Sequence, residues 1–220
     1  MKTYSHSPKQ LYIIRHGRTE YNHLGLVQGS GVDSDLDEIG RKQAQHFYQH
    51  YQHIGFDKIY TSALRRTHQT VAPFVVEQQI PMQPLKGLNE ISWGNKEGRA
   101  VTPEEDRAYF KMIEGWRSGL LHLKIPDGET PLEVYERQQK ALEIIMANPK
   151  EEKVLVCMHG RAMKIFLCLL LGIDLSKMDD FSHSNTCLYR VDYVGENQFE
   201  LVINNCTRHL ERLPQNQMVR

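Results

Sequence analysis

The chain has 220 residues, with 27 Lys plus Arg against 27 Asp plus Glu, so its formal net charge is zero with histidine neutral. That balance gives no support for a generic nucleic-acid or polyanion binder, and any affinity for phosphate must be local. A hydrophobic fraction of 40% and a charged fraction of 25% describe an ordinary globular chain, long enough for one domain with a sizeable core. Met1 to Pro8 has no apolar centre, which speaks against a signal peptide, and the longest apolar run, Ile165 to Ile173, is too short to span a membrane. The four cysteines, Cys157, Cys168, Cys187 and Cys206, form no C-x-x-C pair. They read as buried reduced thiols of a cytoplasmic protein, ahead of disulfides or a metal site.

Leu11 to Ile14 is an apolar run that predicts a buried strand. It breaks abruptly into Arg15-His16-Gly17, and a charged pair at the end of a buried strand is costly unless it has a task. Ligands bind beyond the carboxyl ends of strands in open α/β sheets, and Gly17 lets the backbone approach one. His23 to Leu36 reads as a loop, and Asp37 as the N-cap of a helix with Ile39, Gln43, Ala44 and Phe47 on or near one face. Phe56 to Thr61 predicts a second strand, followed by a helix over about 64–78 in which Pro73 should kink the axis or shorten the first segment. Thr102-Pro103-Glu104-Glu105 starts one helix or two reaching Leu123, whose Tyr109, Phe110 and Trp116 fit either a packing face or a lid over a ligand. Thr130 and Glu133 form a capping box with Pro131 at the first helical position. That helix should turn Leu132, Tyr135, Ala141, Leu142 and Ile145 to the core. Lys153 to Met158 predicts another buried strand, ended by His159-Gly160 and followed by an apolar helix. Two runs over 185–191 and 199–203 predict a hairpin through Gly195-Glu196-Asn197 at a sheet edge, and Thr207 to Arg220 reads as a polar tail.

Five segments in the right order, from about Leu11 to Asn205, resemble the histidine phosphatase superfamily, the phosphoglycerate-mutase-like proteins. The first is Arg15-His16-Gly17 with Thr19 and Asn22. The second, Ser62-Ala63-Leu64-Arg65-Arg66-Thr67, resembles the segment whose arginine lies next to phosphate; spacing favours Arg65 for that role, with Arg66 as competitor. The third, Leu88-Asn89-Glu90 followed by Gly94 and Glu97-Gly98, places Glu90 where the family carries its proton donor. The fourth is Pro126-Asp127-Gly128-Glu129-Thr130, similar to a Gly-Glu-Ser turn. The fifth is His159-Gly160, where Arg161 replaces a small residue and either reaches a substrate anion or lies along its helix. Gln28-Gly29 matches more loosely. The resemblance implies a three-layer α/β/α sandwich with a mostly parallel sheet, and the alternation of strands and helices agrees. The expected organisation is one domain over 1–220, with 102–124 a helical lid and 207–220 a tail.

The chemistry implied is phosphoryl transfer, in which charge and position do most of the work. Arg15 and Arg65 supply planar cations for phosphate oxygens, Asn22 and Gly160 further contacts, and His159 a third donor if protonated. His16 would attack phosphorus and must therefore be neutral, helped by the surrounding positive charge. Its other nitrogen should donate to a backbone carbonyl, that of Gly17 by family analogy. Glu90 would protonate the leaving oxygen and then activate water. No cofactor is expected and no metal is needed; Asp33 and Asp35 read as solvated turn residues. The favoured reading is a phosphomonoesterase acting on a small phosphorylated metabolite, with no nucleic-acid or membrane partner. The alternatives are a phosphoglycerate mutase that uses a bisphosphate primer, and a catalytically silent phospho-ligand binder. The mutase reading is disfavoured because the span from Glu90 to Glu129 is short and holds no Arg-Arg pair and no proline run. The silent binder is disfavoured because every expected core position is filled.

Overall fold

A computed structural model describes residues 8–211; the N-terminal segment ahead of Pro8 and the end of the expected tail, residues 212–220, lie outside the described residues. The strands are β1 (Lys9–Arg15), β2 (Lys58–Thr61), β3 (Met82–Pro84), β4 (Lys153–Met158), β5 (Leu188–Gly195) and β6 (Gln198–Cys206). They form one sheet in the order β3-β2-β4-β1-β5-β6. The pairs β3–β2, β2–β4 and β4–β1 are parallel, whereas β1–β5 and β5–β6 are antiparallel. The chain is thus α/β with a mixed, mostly parallel sheet, as anticipated.

The period-2 geometry of β1 and β4 explains why both read as continuous apolar runs. Leu11, Ile13, Val154 and Val156 enter one core cluster, against α5 (Pro131–Met146) and α6 (Gly160–Leu171). Tyr12, Ile14, Leu155 and Cys157 enter the other, against α2 (Glu38–Tyr51) and α3 (Arg65–Gln78). The register then aligns the strand ends: Arg15 lies opposite Met158, and Thr61 opposite Cys157. The next residues of each strand, His16, Ser62 and His159, therefore emerge side by side at one edge.

The expected caps are present. Asp37 accepts from Gly40, and Thr130 and Glu133 close a reciprocal box. The 102–124 region contains one helix, α4 (Pro103–Arg117), begun by a Thr102–Glu105 box. Three expectations change. The third helix runs unbroken through Pro73, because the buried Val71 and Phe74 hold it against the sheet despite the missing N–H. Leu132 is 45% exposed while Val134 takes its place inward, whereas Ala141, Leu142 and Ile145 are buried as expected and Tyr135 packs against the core. The start of the expected tail is packed, with His209 and Leu210 buried and the His209 ring edge-on to Phe47. Two short elements were not foreseen, β3 and α1 (Glu20–Leu24), each below the length at which a pattern shows. The 195–197 hairpin forms with Glu196 and Asn197 both at positive φ, as a tight two-residue turn requires. All four cysteines are free thiols, three of them buried. Among the described residues no helix is long and apolar enough to cross a membrane.

Candidate active site

His16 follows β1 directly and is almost wholly buried. Its Nδ1 lies 2.7 Å from the Gly17 carbonyl oxygen, which can only accept, so Nδ1 carries the proton and Nε2 keeps its lone pair. Burial first, then the guanidinium groups of Arg66 and Arg15, hold the ring's pKa well below the usual histidine value. Gly17 donates its N–H to Thr70 Oγ1 at 2.9 Å. A Cβ on Gly17 would stand 2.7 Å from the Gly40 carbonyl oxygen, so only glycine lets this turn rest on the first turn of α2.

Of the two candidate arginines, the structure brings Arg66 to the histidines and not Arg65. Arg65 points outward with a side chain 55% exposed, bound to Asp33 and Asp35 at 3.3 and 3.1 Å. Arg66 is fully buried and donates from Nε to His159 Nδ1 at 3.1 Å, from Nη1 to the Val32 carbonyl at 2.6 Å and from Nη2 to the Gly29 carbonyl at 3.2 Å. The reason is helical phase. The inward face of α3 is Arg66, Thr67, Thr70, Val71 and Phe74, and Arg65 precedes it by a turn of about 100°.

His159 lies beside His16 but unprotonated, so the condition on its role as a third donor is not met. Its Nδ1 accepts from Arg66 Nε, a group that can only donate, so the ring is neutral and Nε2–H donates to Ser62 Oγ at 2.8 Å. Burial and the Arg66 charge push its pKa well below the usual value. The two histidine rings lie 5.1 Å apart, centroid to centroid. Arg15 is buried beside them and donates from Nη1 to His183 Nδ1 at 3.1 Å. Its Nε finds no partner among the described residues. An unspent donor of a buried guanidinium is suited to an anionic oxygen.

Glu90 lies at the N-terminus of α6. His159 is the cap residue there but supplies no side-chain cap bond. The Glu90 carboxylate takes that place, accepting from the N–H groups of Ala162 at 2.8 Å, Arg161 at 3.2 Å and its own neighbour Ile91 at 2.9 Å. Arg137 fixes the same loop from below, donating to the carbonyls of Gly87, Asn89 and Glu90 while pairing with Glu129.

The remaining predicted residues take different places. Asn22 Oδ1 caps Thr19 and lies 3.4 Å from Asn185 Nδ2, which also donates to the His16 carbonyl at 3.0 Å. Gln28 bonds Thr19 and Ser34, one layer removed from the histidines. Gly29 offers Arg66 its carbonyl, and Gly160 leaves room for the His183 ring, which a Cβ would approach to 3.0 Å. Arg161 neither faces the histidines nor runs along its helix. Its guanidinium pairs with Asp179 at 2.6 Å, bonds Tyr109 at 3.1 Å and stacks over Trp116, tying α4 to α6.

Sequence reasoning missed Ser62 as a partner of His159, and also Arg137, His183 and Asn185. The available signal was Ser182-His183-Ser184-Asn185, a polar run immediately before β5, the strand that pairs with β1. Thr186 beside it has φ +55°, a conformation costly for a β-branched residue, and it accepts from or donates to His209 through its hydroxyl. Among the described residues no group of three or more His, Cys, Asp or Glu could hold a metal ion.

The assembly offers a neutral imidazole with a bare nitrogen, two buried cations and a carboxylate within one crevice. Residues 11–207 match the family described as "Histidine phosphatase superfamily (branch 1)". The chain is similar to a Yersinia pestis protein named "Probable phosphoglycerate mutase GpmB", 33% identical over 187 residues that cover 84% of this chain and 85% of that one. Among solved structures it superposes on YhfR of Bacillus stearothermophilus with a TM-score of 0.80 and 25% identity, covering 92% of this chain and 100% of that one. It superposes on the α-ribazole phosphatase of Shigella flexneri with a TM-score of 0.78 and 22% identity, covering 90% and 96%, a likeness of fold.

Proposed function

The chain belongs to the histidine phosphatase superfamily, as a phosphatase or a mutase, and from that premise we propose that it is a phosphomonoesterase working through a phosphohistidine at His16. The observation that carries this reading is the wiring of the His16 ring, with its proton locked onto the Gly17 carbonyl and its Nε2 lone pair free in a cationic crevice. In the first step Nε2 bonds to phosphorus, the ester P–O bond breaks, and Glu90, entering the step as the carboxylic acid after taking the proton of the bound phosphate monoanion, gives that proton to the departing oxygen. In the second, Glu90 takes a proton from water, the water oxygen bonds to phosphorus, the P–N bond breaks and phosphate leaves. Arg15 and Arg66, rather than Arg65, hold the equatorial oxygens, where fixed positive charge is most effective.

The mutase reading is kept alive by the name of the 33% identical relative. Against it, a phosphoglycerate carboxylate needs uncommitted cations near α4. Lys96, Arg99, Arg107, Arg117 and Lys124 each stand beside a carboxylate, which leaves Lys111 on α4 as the cation of this region with no ion pair among the described residues. The deciding experiment follows phosphate release from a panel of phosphomonoesters, and conversion of 3-phosphoglycerate to 2-phosphoglycerate with a bisphosphate primer. His16→Ala is the control, and acid-labile phosphate on the quenched wild-type enzyme reports the intermediate. His16-dependent phosphate release is the expected result. Primer-dependent isomerisation without release would establish the mutase instead.

A further inference from the structure

Beside the crevice lies a cavity of about 890 Å³ between the 21–28 segment, the loop following Glu90, and α4 with the turn after it. A phosphoryl group and its first waters need a small fraction of that space, and its volume is in the range of pockets that enclose a whole small molecule. Its walls are mainly apolar: Leu26, Val27, Trp93, Val101, Met112 and Leu123. Val101 and Leu120, which also line it, are 41% and 47% exposed, so apolar surface is left facing this space. The charged groups on its wall include Lys96 and Glu105, which form an ion pair with each other, and Arg99 also reaches that carboxylate. That pairing, with a backbone bond from Thr102, holds the Glu105 pKa at about 2, so the carboxylate stays charged and engaged.

The cavity reaches to within two side chains of the His16 turn. Asn22 and Gln28 belong to its wall, and Asn22 is joined through Asn185 to the His16 carbonyl. Trp93 stands three residues beyond Glu90 on the same loop. A substrate whose phosphate sits at His16 would therefore extend its alcohol portion past Asn22 and under α4.

Resting on the phosphatase reading above, we infer that this cavity is the subsite for a bulky apolar alcohol, so that the enzyme's substrates are phosphomonoesters of hydrophobic alcohols rather than of small polyols or sugar acids. Charge complementarity argues the same way. The wall carries Lys96, Lys111 and Lys124 against Glu105, Asp106 and Glu114, so a carboxylate or a second phosphate meets no net positive charge, whereas a hydrocarbon would cover Val101, Leu120 and Met112 at no electrostatic cost.

The test uses straight-chain alkyl phosphates from ethyl to octyl, which hold the basicity of the leaving oxygen constant while changing only apolar bulk. With wild-type enzyme, kcat/KM should rise by about three- to fourfold for each methylene that is buried, until the cavity is filled. Ala108→Trp places an indole in the cavity from an exposed position on α4, and it should collapse the octyl-to-ethyl ratio of kcat/KM by tenfold or more. Glycerol 2-phosphate and 3-phosphoglycerate should remain poor substrates. His16-dependent release with a flat or falling chain-length profile overturns this inference and leaves the phosphatase reading intact. A rising profile that Ala108→Trp leaves unchanged also overturns it, because the bulk is then read elsewhere. Absence of His16-dependent release from every ester overturns the phosphatase reading itself.

Discussion

The ends of β1 and β4 present the same two letters, His-Gly, on adjacent parallel strands, and the chain wires them oppositely. His16 spends Nδ1–H on a carbonyl within its own turn and keeps Nε2 bare. His159 receives Arg66 on Nδ1 and spends Nε2–H on Ser62. Both rings are buried and both are held neutral, so burial and charge do not separate their roles. The difference lies in which nitrogen is occupied, and that is decided by the nearest backbone carbonyl in one case and by a helix-borne guanidinium in the other. The first ring keeps one nitrogen free, and the second spends both, one of them to fix an arginine.

Removing Arg66 attacks the comparison where it is widest. Arg66→Ala frees His159 Nδ1 and removes a buried cation beside His16, so steady-state kinetics should show kcat/KM lower by roughly 10²–10³, with circular dichroism unchanged. A loss under tenfold would mean that Arg66 is a prop for the Gly29 and Val32 carbonyls rather than a phosphate ligand.

Acid acts on the neutrality the two rings share. A histidine buried neutral, such as His209 with a pKa of about 3, takes up its proton in the unfolded chain near pH 6.5 and in the folded protein only near 3. Between those values the unfolded state holds the extra proton, so stability falls as pH falls from about 6.5 towards 3. At pH 5 the loss for His209 is about 2 kcal/mol. Urea unfolding at pH 7.5 and pH 5.0 should show that His209→Phe gives up less stability on acidification than the wild type by about that amount. Equal losses would show that this ring is protonated in the fold.

Ser62→Ala sharpens the comparison on the β4 side alone. It leaves His159 Nε2–H without its acceptor and His16 untouched, and about a tenfold loss of kcat/KM is expected. The smallest effect separates neighbours in sequence. Arg65→Ala breaks two exposed ion pairs worth ~0.2–1 kcal/mol each and should leave kcat/KM within about twofold. A loss as large as that of Arg66→Ala would restore the role that motif spacing first gave to Arg65.

The strands that carry the histidines were legible because each is buried on both faces and cannot alternate. The capping boxes at Thr102 and Thr130 were legible because their chemistry is local, a side chain and a backbone group three residues apart. Arg65 against Arg66 was not, because spacing measures distance along the chain and not the phase of a helix whose inward face is set by Val71 and Phe74 docking on the sheet. His183 and Asn185 lie in an aperiodic segment, and they matter only because β5 pairs with β1 and delivers them to Arg15 and His16. The protonation of His159 was likewise a tertiary fact, fixed by a donor 93 residues away in sequence.

The free thiols give the molecule a chemical clock for its own opening. Alkylation needs both access and thiolate, and burial denies both to Cys157, Cys168 and Cys187, the latter two with pKa values pushed up to about 12 and about 11. Cys157 sits at the centre of the sheet under α3, whereas Cys187 adjoins the Arg15 backbone at its edge. Labelling of Cys157 therefore times the parting of α3 from the sheet, and labelling of Cys187 times the loosening of β5 from β1. The order in which the two react would read out whether the β1–β5 seam beside the histidines or the body of the sheet opens first.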